Sequence, residues 1–308
     1  MRNKIVQTGN LISKDFQKNI FKYFMVLPVL IYILIFCYKP MYGLVIAFQK
    51  YRPSAGIDGS PWVGFQNFTR FFNDIYFWRL IKNTFSISLL SIVFAFPIPI
   101  ILALLLNEVQ VSWFKRSVQT ISYLPHFIAM VVICGLIKSF TQSDGVINDI
   151  IAFFGGERSN LLANSSYFYL IYIVSGIWQN VGWDSIIYLA ALSNIDKEQY
   201  EAATLDGAGR LKQMWYITLP GLLPTISMLL VLRLGSVLSV GYEKILLLYQ
   251  PTTYEVADVI STYVYRKGLI DADFSYSTAV GLFNSIVNVC FLLLGNKISK
   301  KMGQSGLF

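Results

Sequence analysis

Six stretches of this chain are each about as long and as apolar as a membrane crossing demands: residues 24–48, 83–106, 120–140, 167–192, 221–240 and 276–295. The hydrocarbon layer needs about 20 mostly apolar residues in helical form. A backbone in lipid must satisfy its own N–H and C=O groups, so these runs are expected as helices. The expected fold class is an all-α polytopic membrane protein. Composition leads to the same class. Of 308 residues, 55% are hydrophobic and 14% charged, with mean hydropathy +0.54. A soluble domain carries about 25% charged residues. Too few polar groups remain here to cover a water-facing surface.

The segments between the runs set the organisation. Residues 1–23 are basic, and Phe16, Ile20, Phe21 and Phe24 predict an amphipathic segment on the membrane surface. Residues 51–82 are aromatic-rich, as at a water–lipid boundary. Pro97 and Pro99 interrupt the second run, so other helices must satisfy the carbonyls they free. The first run extends well beyond a signal peptide's apolar core and lacks a small-residue cleavage site, so it is expected to remain as a span. With six spans, both termini and the loop 193–220 share one side. That side carries 13 Lys and Arg; the other carries 9, together with 10 Asp and Glu. The bias favours cytoplasmic termini, although Arg70, Arg79 and Lys82 oppose it.

The loop 193–220 is the longest polar interval that also reads as helical. Asp196 suits an N-cap, with Gln199 placed for a capping box and Ile195 and Tyr200 for a hydrophobic staple. Gly207 suits the helix end, where positive φ is needed. Ala202, Ala203 and Gly207 make a small-residue face that lets another surface approach closely. A second helical run, 208–217, leads to Pro220.

This loop resembles the cytoplasmic coupling loop of permease subunits from binding-protein-dependent ABC importers. The resemblance rests on Glu201-Ala202-Ala203, Gly207, Ile217 and Leu219-Pro220, seven positions matched across twenty residues. Asp206 and Ala208 flank the glycine and belong to the same implied ATPase-coupling set. Trp178, Gly182, Leu189-Ala190-Ala191-Leu192, Tyr200, the segment 261–269 and the segment 279–288 are similar to the carbohydrate branch. Within it they are closest to permeases for oligosaccharides and polysaccharide fragments. The extra leading spans and large periplasmic domain of the larger maltose permease subunit have no counterpart here.

The chemistry that is missing narrows the function. No Gly-Lys dipeptide occurs, so there is no phosphate-binding Walker loop, and ATP hydrolysis must come from elsewhere. The single histidine, His126, lies in an apolar run beside Pro125 and reads as a packing or kink residue. Cys37, Cys134 and Cys290 lie in apolar runs without pairing or ligand spacing. No serine sits in a nucleophile elbow. No metal site is expected.

Polar residues inside the runs are costly in hydrocarbon and usually face a bundle interior or an aqueous path. Asp184 and Arg233 are expected to face one another across a cavity. Asn180, Asn284 and Asn288, with Gln179, add amides; Trp178, Trp183 and Tyr188 add flat apolar faces. That mixture suits sugars, and it also suits plain helix–helix packing. The set Trp178, Asn180, Trp183, Asp184, Tyr188, Arg233, Asn284 and Asn288 is therefore the candidate substrate path.

The resemblance implies a six-span permease of the type I ABC importer fold. It comprises a cytoplasmic N-terminal segment (1–23), a permease domain (24–295) with coupling loop 193–220, and a cytoplasmic tail (296–308). It implies no cofactor in this chain, with ATP and Mg bound by partner ATPases. The implied partners are a second homologous permease, two ABC ATPase subunits, an extracytoplasmic sugar-binding protein and the lipid of a bacterial cytoplasmic membrane; nucleic acid is not among them. A transport subunit rather than an enzyme is expected. The alternatives are the same importer architecture with a non-sugar polar cargo, a polytopic membrane enzyme, and a secondary transporter working alone.

Overall fold

The computed structural model describes residues 18–303 and 306–307. Most of the expected N-terminal amphipathic segment, residues 1–17, lies outside the described residues. Among those described the chain is helical, with two isolated β-bridges, Gln49 to Trp62 and Arg52 to Gly56.

The principal helices are α1 (Ile20–Phe48), α2 (Gln66–Phe72), α3 (Phe77–Glu108), α4 (Ser112–Tyr123), α5 (Met130–Thr141), α6 (Val146–Phe153) and α7 (Ser165–Ser193). They continue with α8 (Lys197–Leu205), α9 (Arg210–Leu234), α10 (Tyr242–Leu248), α11 (Ile260–Tyr265) and α12 (Phe274–Lys301). Among the described residues five segments are long and apolar enough to cross a membrane: α1, α3, α5 with α6, α9 and α12. The 29-residue α7 is as long but carries Gln179, Asn180 and Asp184 along its length.

Proline chemistry shapes the deviations from straight spans. In α3 a wide π-turn at Ser91–Ala95 precedes Pro97 and Pro99, and Phe96 N–H donates to the Ser91 carbonyl at 3.0 Å. The wider turn takes up the register that the prolines disturb. The run expected at 120–140 is two helices. Pro125 ends α4 in a tight turn, Leu124–Phe127, before α5 begins. Pro220 does not separate a loop helix from the next span. A π-turn at Met214–Thr218 carries α9 through Pro220, and α9 ends at Leu234 instead of reaching 240.

The helix α7 is the hub. Asn164 caps it by accepting from Ser166 N–H at 3.0 Å. It packs on α3, α4 and α9. At Gly182 the Ser122 carbonyl of α4 lies so close that a Cβ would overlap it. Three apolar clusters hold the bundle. Ile87, Ile133, Phe168 and Ile245 join α3, α5, α7 and α10. Phe71, Leu80, Tyr263 and Val280 join α2 and α3 to α11 and α12. Ala103, Tyr188 and Leu222 join α3, α7 and α9. In contrast, Ile20–Met41 of α1 has no buried residue, although it is apolar on every side. Such a face suits lipid or another chain.

The interval 241–275 is folded, not a free loop. Asn83 of α3 donates to the carbonyls of Glu255 (2.8 Å) and Asp258 (3.0 Å). The fully buried Asp258 carboxylate receives Arg266 at 2.6 Å, Arg79 at 3.4 Å and the Thr262 hydroxyl at 2.9 Å. Nearby, Asp74 accepts from the hydroxyls of Tyr263 (2.6 Å) and Tyr276 (2.8 Å). Partial burial disfavours the Asp74 carboxylate. The two hydroxyls, the Tyr76 N–H and the Lys267 charge outweigh that and hold it below the usual aspartate range.

Candidate functional site: a protruding helix and a polar cavity

Two features stand out. The first is α8 with the turn that follows it. Asp196 accepts from Glu198 N–H at 3.0 Å, while the Gln199 side chain makes no return bond. The staple positions are used differently from the expectation. Ile195 packs against Gly221, and the Tyr200 hydroxyl reaches the Thr218 hydroxyl at 3.0 Å. Gly207 takes φ +76°. Its N–H donates to Thr204 C=O at 3.0 Å, and Ala208 N–H donates to Ala203 C=O at 2.8 Å. Both bonds of a Schellman ending are thus present. Gln213 donates to the Thr204 hydroxyl and the Ala208 carbonyl, both at 3.0 Å, tying α9 to the turn.

No residue of α8 is buried. Glu201, Ala202, Asp206 and Gly207 are exposed, and Ala203 and Ala208 half-buried. At the tip Leu205 is 91% exposed. That residue was not singled out from sequence, where a leucine at a helix end looks like ordinary packing. Ile217, Leu219 and Pro220 lie in α9, behind the knob rather than on it. The arrangement is a short rigid protrusion with a small-residue face, braced from behind by hydroxyl and amide bonds.

The second feature is a polar cavity between α3, α7 and α9. Two connected lobes of about 300 Å³ and 220 Å³ share Ala95, Pro99, Asp184 and Arg233. Tyr188 closes the larger; Gln179, Asn180, Tyr172 and Lys244 line the smaller. Asp184 and Arg233 therefore face a common space, and no ion pair within 4.0 Å joins them. Asn180 donates to the Gly176 carbonyl (3.1 Å), and its Oδ1 lies 3.0 Å from His126 Nδ1. His126 stacks flat on Trp183 at 4.5 Å between centroids, so both serve the contact of the turn Leu124–Phe127 with α7.

The other expected path residues lie elsewhere. Asn288 spends both ends of its amide on the turn after α9, accepting from Leu238 N–H and donating to Ser239 Oγ, each at 2.8 Å. Asn284 and Trp178 line neither lobe. Lys244 is the residue that sequence reasoning missed. Only the packing of α10 against α5 and α7 brings it to the cavity. Its signal was a lone lysine followed by Ile245-Leu246-Leu247-Leu248.

Comparison with known proteins bears on both features. The family model described as "Binding-protein-dependent transport system inner membrane component" matches residues 95–304. The chain is 48% identical to the polygalacturonan/rhamnogalacturonan transport system permease protein YteP of Bacillus subtilis over 287 residues, 93% of this chain and 89% of that protein. It is 45% identical to Protein LplB of the same organism, over 93% of this chain and 90% of that one. Among solved structures it resembles a chain of a bacterial ABC transporter involved in the import of the acidic polysaccharide alginate. There the TM-score is 0.87 at 47% identity, covering 94% of this chain and 98% of that one. A second alginate transporter structure, in complex with a pentasaccharide-bound periplasmic protein, gives TM-score 0.88 at 46% identity, covering 96% and 99%.

Proposed function

The chain belongs to the family of binding-protein-dependent transport system inner membrane components, and from that premise we propose that it is the permease of an ATP-driven importer for an oligosaccharide or polysaccharide fragment. It is a transport subunit and not an enzyme. Its partners are a second permease, two ATPase subunits and an extracytoplasmic binding protein. The close relatives named for polygalacturonan/rhamnogalacturonan and for alginate support the saccharide cargo.

We place the termini and α8 on the cytoplasmic side, with α7 as the sixth span beside the five apolar ones. The Lys and Arg count summed over that side, 13 against 9 on the other, supports that orientation. ATP and Mg bind the partner ATPases. The helix α8 docks in a groove of one ATPase, Glu201 facing its cations and Ala202, Ala203 and Gly207 allowing close approach. Closure of the ATPases then moves α8, and α8 moves α7 and α9 as a rigid unit, opening the cavity alternately to each side. The observation that carries this reading is the bracing of α8. A protrusion held by Tyr200–Thr218 and Gln213–Thr204 transmits displacement instead of absorbing it.

The test is transport by the full complex in liposomes. Glu201→Lys and Gly207→Asp are expected to abolish ATP-driven saccharide uptake while membrane insertion persists. Undiminished uptake by both variants overturns the docking role.

A further inference from the structure

The cavity holds more positive charge than a neutral cargo would need. Lys244 is only 5% exposed. Its ammonium donates to the Tyr172 carbonyl at 3.1 Å and lies 4.9 Å from the Tyr172 ring centroid. No carboxylate lies within 4.0 Å of it among the described residues. An ammonium has three donors, so two remain for the cavity that Lys244 lines. The Lys244 nitrogen lies beside the α7 backbone at Gly176, 3.5 Å from where a Cβ would stand, which is ordinary contact.

Arg233 enters the same lobe from α9. Its guanidinium makes no hydrogen bond or ion pair among the described residues. Only one carboxylate, Asp184, lines the two lobes. Buried charge without a counter-charge is costly. A cation with unused donors in a translocation cavity is therefore poised for a negative group on what passes through. Charge-assisted bonds from Lys and Arg to carboxylates are among the strongest available to a protein.

We propose that Lys244 and Arg233 together read carboxylates on the cargo, so that this importer takes acidic, uronate-bearing oligosaccharides. This deepens the importer reading and rests on it. Lys244 enters from the folded outer segment and Arg233 from a span. The pair thus meets the cargo from two elements, and successive acidic sugars are handed between them. Asp184, on the third element, limits how long a carboxylate dwells by offering Arg233 an alternative partner. The aromatic Tyr172 and Tyr188 supply flat faces for the sugar rings between the charges.

The experiment uses the complete complex in liposomes with its binding protein, and two probes: trigalacturonate and neutral galactotriose. The native complex is expected to import trigalacturonate. Lys244→Gln and Arg233→Gln should each lower that uptake by about tenfold or more, the usual weight of a charged hydrogen bond. Arg233→Lys should retain most of it. Because Lys244 is buried, its variant has a second reading through assembly. The Arg233 pair, on an exposed side chain, decides the matter if Lys244→Gln fails to assemble. Import of galactotriose but not trigalacturonate overturns this inference and leaves the importer reading standing. So does import of trigalacturonate at native rates by both glutamine variants. Import of neither probe by the native complex counts against the saccharide importer itself.

Discussion

The hydroxyls of Tyr200 and Thr218 lie 3.0 Å apart and join the protruding α8 to the π-turn at the base of α9. Thr218 is buried there, while α8 buries nothing of its own. The bond is thus one of the few fastenings between the exposed knob and the helix that continues into the bundle.

Removing that bond separates docking from transmission. Tyr200→Phe keeps the ring and deletes one hydrogen bond, about 0.5–1.5 kcal/mol. Saccharide uptake per ATP hydrolysed is expected to fall several-fold, with ATPase binding to the complex unchanged. A native uptake-to-hydrolysis ratio in the variant would show that the bond carries no force.

Gly182 tests the hub. The Ser122 carbonyl of α4 lies against it, and any Cβ there meets backbone rather than a flexible side chain. Gly182→Ala is expected to destabilise the subunit by about 1–3 kcal/mol, the cost of overpacking. The thermal transition of the solubilised complex should drop by several degrees. Gly281→Ala in α12, where nothing lies within 4 Å of the added carbon, is the matched control and should be near native.

Asp258 tests the clasp on residues 241–275. Its side chain is fully buried and shared by Arg79 and Arg266. Breaking a buried pair by removing one partner costs about 3–5 kcal/mol, because the remaining charges are left uncompensated. Asp258→Asn should therefore lower thermal stability strongly. Protease cleavage within residues 241–275 should rise with it, since Asn83, Thr84 and Asp258 hold that segment to α3.

Asp74 gives a pH dependence with a definite sign. Its carboxyl titrates below the ordinary value in the folded protein, so the unfolded chain takes up the proton first as pH falls. The stabilisation is present in full above about pH 4 and is lost as pH drops through the folded value. The stability gap between the native protein and Asp74→Asn should be constant from neutral to mildly acidic pH and shrink only below that point. A gap that closes at neutral pH would contradict the hydrogen bonding seen at Tyr263 and Tyr276.

Much of the architecture was legible because it is local. The apolar runs announce helices, Asn164 and Asp196 announce helix starts, and the positive φ of Gly207 follows from its place after an apolar–polar helical repeat. Spacing alone also located the protruding loop. Less legible were the prolines. Pro125 splits one expected span, while Pro220 is bridged within a continuous helix. The same residue type gives opposite outcomes because a π-turn forms before one and not before the other. The substrate-path residues divided in a similar way. Asp184, Arg233, Asn180 and Tyr188 gather at the cavity, whereas Asn288 and Trp183 are occupied by turn and helix contacts.

The amino-acid order by itself determined a helical membrane protein with a capped polar knob, because hydrophobic run length, caps and the glycine turn act over a few residues. Only the tertiary structure decided which polar groups share one space. Lys244 meets Tyr172 across 72 residues, and Arg79 meets Asp258 across 179. Pairings of that separation depend on how helices cross and where they end, which no local pattern encodes.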